Sequence, residues 1–365
     1  MTTPAIRRIL AIKLGHIGDV LLMTPALDLL RRAFPEAEIS VLLRRGTEPV
    51  LRGNPNVKEI IIGAELGKKK SLGERAPSEL RLIKRLRQQQ FDLAVNFSAS
   101  DRGAIVGLLS GAALRVGYPA VTHGLWGRDR LYTHLCKRDW LSTHTVLKDA
   151  QLVCDFATAI GLRGFDNPSA ITGNLRFAPS AEALAFAEDF WRCHATSDTR
   201  VVIHPTSRWL FKCWSDENVA ALADKLCETF NASVLLTTGP DEKEISKGKR
   251  ILALSRTPPV ARLGDSSLDQ LAALIQRAHL FVGVDTAPMH VAAAVGTPVV
   301  ALFGPSLDAL WRPWGISHHV IRHRCPCIEQ NKIACDKSKV VACMAQISVE
   351  EVLAAAKKVF DLPPV

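Results

Sequence analysis

No run of apolar residues in this 365-residue chain reaches the ~18 needed to cross a bilayer as a helix. The best stretches, 291–303 and 104–114, are short and broken by Gly, Pro or Ser, so a spanning helix is not expected. Aromatic residues are scarce, at 6%, and no recognition motif accompanies the basic charge, which argues against a nucleic-acid binder. The dinucleotide fingerprint G-x-G-x-x-G and the G-K-[ST] core of a P-loop are both absent, so neither a hydride-transfer cofactor nor a P-loop nucleotide site is expected. No Asp-x-Asp pair occurs either, so the carboxylates that commonly hold Mg²⁺ or Mn²⁺ beside a nucleotide-sugar are missing. Of nine cysteines, Cys325, Cys327, Cys335 and Cys343 cluster, but not as paired C-x-x-C knuckles, and no metal site is expected. The N-terminus, MTTPAIRRILAIKLG, has a brief apolar run and no small-residue cleavage site. It reads as a first strand and not a secretion signal, and the expected location is the cytoplasm.

Charge is present in excess, and it is unevenly placed. The formal net charge of +10 belongs to residues 1–180, with 26 Lys/Arg against 16 Asp/Glu, while residues 181–365 carry 20 of each. A basic half implies an acidic partner, such as anionic lipid headgroups or a phosphorylated glycan.

Continuous Val/Ile/Leu runs alternate with helical patterns through both halves, the signature of parallel sheets covered on both faces. In the first half the strands are 6–14, 38–44, 57–62, 91–97 and 113–119, with helices near 19–34, 78–90 and 144–162. Residues 163–180 lose the periodicity and read as a linker. Strands then restart at 200–205, 232–240, 258–265, 280–288, 297–305 and 318–323, with a closing helix near 348–360. The fold class is therefore α/β, with two successive Rossmann-like units of about six strands over 1–170 and 171–347, followed by a C-terminal helix, 348–365. Ligands in such sheets bind beyond the carboxyl ends of the strands, so the cleft between two such units is the expected active site.

Four loops at those ends carry chemistry. In Gly15-His16-Ile17-Gly18-Asp19 the glycines permit a tight turn and close approach of a ligand, and Asp19 sits where a helix N-terminus favours an ionised carboxylate. Asp19 reads either as a plain helix cap or as a working base. In HPTSRWLFKCW, the hydroxyls of Thr206 and Ser207 with Lys212 make a diphosphate cradle or, alternatively, a surface lysine beside core tryptophan. In TTGPDE, Asp241 could accept the hydroxyls of a ribose. In GVDTAPMH a strand ends in Asp285-Thr286-Ala287-Pro288 and a small-residue helix begins at once. Its N–H groups can bind phosphate, and His290 lies one turn on.

The combination GHIGDVLLMTPAL, HPTSRWLFKCW, TTGPDEKE and GVDTAPMHVAAAVGTPVVALFGP resembles glycosyltransferase family 9, the bacterial lipopolysaccharide heptosyltransferases. The R-W-x-F-K-x-W form and the WRPW at 311–314 look most like its third type, heptosyltransferase III. The resemblance implies a GT-B fold, with two domains facing across a cleft, and inverting, metal-independent transfer from ADP-L-glycero-β-D-manno-heptose to an inner-core acceptor on lipid A. It implies that Asp19 is the general base and that Lys212 neutralises the departing ADP. Gly18, Thr206, Ser207, Asp241 (or Glu242), Asp285, Thr286, Ala287 and His290 would contact the donor. Lys68, Lys69, Lys70, Arg102 and Arg115 would meet the anionic acceptor, and Arg81, Lys84, Arg85 and Arg87 that surface or anionic lipid of the inner leaflet. It implies peripheral attachment to the inner membrane, and a closing helix that crosses back onto the first domain. The alternatives are another family 9 transferase, such as heptosyltransferase II, or a non-catalytic nucleotide-binding protein of lipopolysaccharide assembly.

Overall fold

The structure is a computed structural model that describes residues 5–63, 72–120, 125–136, 142–325, 335 and 341–361. The chain divides into two compact units, residues 1–178 and 179–365, and the division falls inside the 163–180 segment.

The first unit runs β1 (Arg8–Lys13), α1 (Ile17–Ala33), β2 (Glu38–Leu43), β3 (Glu59–Ile62), α2 (Leu72–Gln88), β4 (Leu93–Asn96), α3 (Asp101–Leu109), β5 (Leu114–Gly117), β6 (His134–Leu135), α4 (Thr145–Ala159) and the one-turn α5 (Pro168–Ile171). Its six strands are all parallel, in the order β3-β2-β1-β4-β5-β6. β1 is buried at every position after Arg8, as a strand covered on both faces must be. Three elements lie outside the sequence pattern: α3, β6 and α5, which falls within the segment read as a linker. The α3 stretch DRGAIVGLL carries two glycines and little amphipathicity, and β6 is only two residues long.

The second unit runs α6 (Ala181–His194), β7 (Arg200–His204), α7 (Asp216–Phe230), β8 (Ser233–Thr238), α8 (Glu242–Leu254), β9 (Val260–Leu263), α9 (Leu268–Gln276), β10 (Leu280–Val284), α10 (Ala287–Ala294), β11 (Val299–Phe303), β12 (His318–Arg322) and a closing helix, Val349–Phe360. Its parallel sheet has the order β12-β11-β10-β7-β8-β9, the same winding as the first. Each sheet therefore reverses direction beside its first strand, between β1 and β4 and between β7 and β10. Loops leave such switch points in opposite directions, and a ligand crevice opens there.

The closing helix is held within the second unit. It lies against α7, β11 and β12 of the second unit. There it buries Val349, Val352, Ala355, Ala356 and Val359 in a core shared with Val219, Leu226 and Leu302. The buried Trp214 Nε1 fixes its approach by donating to the Ile347 carbonyl at 3.0 Å. An apolar stripe goes to the nearest uncovered apolar face, here the β11–β12 side of its own sheet.

Candidate active site

In the first unit, β1 ends at Lys13 and α1 opens after His16, so Gly18 and Asp19 fall in the first turn of that helix. Asp19 Oδ2 accepts the backbone N–H of His16 at 2.7 Å. A side chain at Gly15 would collide with the Asp19 carboxylate, its Cβ only 2.6 Å from Oδ2, so glycine there lets the carboxylate fold back over the turn. The cap therefore engages only one of the two carboxylate oxygens. Oδ2 is held by the backbone, and Oδ1 makes no hydrogen bond among the described residues. The carboxylate is half-buried, oriented, and open on one oxygen.

Beside it lie residues that the sequence reading passed over. Arg44 and Arg45 leave the carboxyl end of β2, both exposed, and Arg44 Nη1 is 3.2 Å from His16 Nδ1. Beneath the turn, Lys13 is buried and its Nζ donates to Asp149 of α4 at 2.6 Å and to the Phe97 carbonyl at 3.1 Å. The Tyr118 hydroxyl donates to the other Asp149 oxygen at 2.7 Å. Burial pushes the Asp149 carboxyl above the usual range against the pull of Lys13 and Tyr118, and pushes Tyr118 well up. The only local signal for this group is a lysine closing an otherwise apolar strand.

The expected acceptor residues do not gather with Asp19 in the same way. Arg102 pairs with Glu79 of α2 at 2.7 Å. Arg115 is the second residue of β5, and its guanidinium donates to the carbonyls of Ala112 and Leu131, at 2.8 and 2.7 Å, as a backbone brace. Lys68, Lys69 and Lys70 lie outside the described residues. Arg81, Lys84, Arg85 and Arg87 are exposed along α2, Arg85 pairing with Glu59.

In the second unit the flagged residues converge on the β7/β10 switch point. Lys212, in the one-turn helix after β7, and Asp285, at the end of β10, form an ion pair of 2.6 Å. Lys212 remains about a quarter exposed and Asp285 a tenth, so the pair faces outward on the lysine side. An ammonium held by one carboxylate still has protons for an anion, and the carboxylate fixes where it points. Thr206 and Ser207 are buried behind it. The Ser207 hydroxyl accepts the Trp209 N–H at 3.3 Å, which leaves its own proton to donate. Thr286 caps α10 with no side-chain bond to the helix, so its hydroxyl and the Ala287 N–H at the first helical position lie at the positive end of the helix. Gly283 is enforced by packing, since a Cβ there would stand 2.6 Å from the Phe281 ring. His290 is buried in the second turn of α10.

Asp241 caps α8, accepting the Lys243 N–H at 3.0 Å with one oxygen, and is otherwise exposed beside Glu242. The buried Glu244, which the sequence reading did not single out, accepts the Gly239 N–H at 3.3 Å and shapes the loop from within. Burial pushes His204, at the end of β7, down to about 3. The folded chain therefore keeps this imidazole neutral, while the unfolded chain protonates below pH ~6.5. Stability is full above that pH and falls toward pH 3 as the unfolded state takes the proton, by about 1.4 kcal/mol per pH unit. Chemical unfolding compared at pH 7 and pH 5 should show about 2 kcal/mol of acid destabilisation that His204→Gln lacks. Equal losses in both proteins would remove His204 as its source.

Cys325 and Cys343 are buried in the second unit's core with Cys335 packed against them, and burial and Cys325 push the Cys343 thiol up to about 12. Cys327 lies outside the described residues. Among the described residues, no group of three or more His, Cys, Asp or Glu is placed to hold a metal ion.

Two parallel α/β units of this winding, each with a switch point beside its first strand, make the GT-B architecture. The chain belongs to glycosyltransferase family 9 (heptosyltransferase), whose model matches residues 79–341. It is similar to lipopolysaccharide heptosyltransferase 3 of Escherichia coli strain K12, 29% identical over 351 residues, 93% of this chain and 94% of that protein. A second Escherichia coli protein of the same name is 34% identical over 301 residues, 81% of this chain and 83% of that one. Among solved structures, that of E. coli ADP-heptose lps heptosyltransferase II shares the fold, with a TM-score of 0.74 and 23% identity over 96% of this chain and 98% of the other.

Proposed function

We propose that the chain transfers L-glycero-D-manno-heptose from its ADP-linked form to the inner core of lipopolysaccharide, in the manner of the third type of its family. The observation that carries the reading is the Asp19 carboxylate, fixed on one oxygen and open on the other. Asp19 Oδ1 takes the proton of the acceptor hydroxyl while that oxygen attacks the anomeric carbon. The bond from the anomeric carbon to the β-phosphate oxygen breaks, and attack from the opposite face inverts the configuration. Lys212, steered by Asp285, meets the charge that develops on the departing ADP, with the hydroxyls of Thr206, Ser207 and Thr286 and the N-terminus of α10. This reading requires no metal. Asp241, or Glu242 beside it, takes the ribose hydroxyls, and Gly18 and His290 are further donor contacts.

Arg44 and Arg45 are better placed for an anionic acceptor than Arg115, because they stand at a carboxyl strand end next to His16. The acceptor is membrane-anchored in this reading, and the chain works at the cytoplasmic side as a peripheral protein. No helix of the described residues is long and apolar enough to cross a membrane. In the first unit, Leu80 and Trp126 are 69% and 93% exposed. They accompany Arg81, Lys84, Arg87 and Arg130, none of which has a carboxylate partner among the described residues, a composition suited to an anionic bilayer surface.

The test is transfer from ADP-heptose to core acceptors truncated one sugar at a time, presented both free and in anionic vesicles. The expected result is ADP release with one acceptor length only, and with Trp126→Ala a loss of ~5-fold confined to the vesicle-borne acceptor. Transfer to a core lacking its first or second heptose would assign another step of the family. Equal effects of Trp126→Ala on both presentations would remove the membrane role.

A further inference from the structure

A lysine closing a fully buried strand is costly unless it is paired, and an apolar residue of similar size commonly serves stability as well as a buried ion pair does. Lys13 is nevertheless paired with care. Its Nζ binds Asp149 at 2.6 Å and the Phe97 carbonyl at 3.1 Å, and Tyr118 fills the other Asp149 oxygen. Lys13 ends β1, Phe97 follows β4, and Tyr118 follows β5, so the carboxyl ends of three strands meet around the Lys13–Asp149 pair. That carboxylate is carried by α4, which packs along α1, the helix whose first turn bears Asp19. The Leu14 N–H, next in the chain after Lys13, is held by Ser98 Oγ at 2.7 Å.

We propose that Asp149 is a positioning residue for the transfer reaction: through Lys13 and Tyr118 it fixes the β1–α1 turn that presents Asp19, and it balances the Lys13 charge beneath that base. The inference rests on the reading of Asp19 as the base. Burial raises the Asp149 carboxyl, Lys13 and Tyr118 pull it down, and the charge of Asp19 adds a smaller push up. Among the described residues, the titratable groups around the Lys13–Asp149 pair include Tyr118, Asp155 of α4 and Cys136, whose thiol donates to Asp155 at 2.8 Å, and beside Asp19 stand His16 and Arg44. Without the Asp149 charge, the buried ammonium is left unbalanced beneath the turn that carries Asp19. A positive charge left close to a base opposes its taking up a proton.

The experiment is Asp149→Asn, read by kcat, donor KM and the pH dependence of kcat. A fall in kcat of ~30-fold is expected with donor KM within about twofold, and the acidic limb should move down by about one pH unit. In the double variant Lys13→Met/Asp149→Asn no unbalanced charge is left, so the limb should return to its original position while kcat stays low. A folded Asp149→Asn protein with an unmoved limb and normal kcat would overturn the proposal. Where Asp149→Asn does not fold, Tyr118→Phe removes one hydrogen bond and no charge. It should lower kcat several-fold with the limb in place, and normal turnover there would overturn the proposal equally. Failure of the underlying reading is distinguishable, because it would appear as full turnover by Asp19→Asn whatever Asp149→Asn does.

Discussion

Asp19→Asn should lower kcat by ~10³-fold, the usual worth of a positioned general base, and leave donor affinity within about twofold. The amide keeps the shape of the side chain, and its oxygen can still accept the His16 N–H that orients it in the native turn. What it loses is the lone-pair basicity of the open oxygen. The acceptor hydroxyl must then attack without giving up its proton, and the barrier rises at that step alone. ADP-heptose binding, measured by calorimetry on the same protein, should be nearly unchanged, because all the proposed donor contacts except Gly18 lie in the second unit. A variant that kept near-normal turnover would leave Asp19 as a cap and nothing more.

Lys212→Ala should raise donor KM ~10-fold and lower kcat ~10²-fold together, since a cation facing a leaving diphosphate helps in the ground state and more in the transition state. The pair with Asp285 makes the loss larger than the removal of a solvated lysine would be. The Asp285 carboxylate, a tenth exposed, is left uncompensated beside the proposed phosphate position. The double variant Lys212→Ala/Asp285→Asn should therefore bind donor better than Lys212→Ala alone, a non-additivity that marks the two as one unit. Additive losses, or an unaltered kcat in Lys212→Ala, would separate Lys212 from the leaving group.

The periodicity of the chain carried most of the fold. Runs such as EISVLL and SVLLTT are buried along nearly their whole length, as strands covered on both faces are. α3 escaped because Gly103 and Gly107 pack against the sheet where a longer side chain would normally announce a helix face. The candidate site was legible wherever chemistry sits in one loop, as in Gly15–Asp19 and Asp285–His290. It was not legible where function needs two distant residues. Lys212 and Asp285 were each visible, but their pairing across 73 residues was not. Lys13 and Asp149, 136 residues apart, left no local mark beyond a charge in an apolar strand. Arg115 shows the opposite failure, a basic residue near a strand that spends its guanidinium on backbone carbonyls. Which strands of its own sheet the closing helix covers depends on the apolar face that stands open, and that is a property of the assembled sheet.

Mass spectrometry of core oligosaccharide from a strain deleted for this chain tests the central claim most directly, with the deletion complemented by the native protein and by Asp19→Asn. The account predicts a core short of a single heptose in the deletion, restored by the native protein and still missing with Asp19→Asn. An unaltered core in the deletion strain, or full restoration by Asp19→Asn, would contradict it.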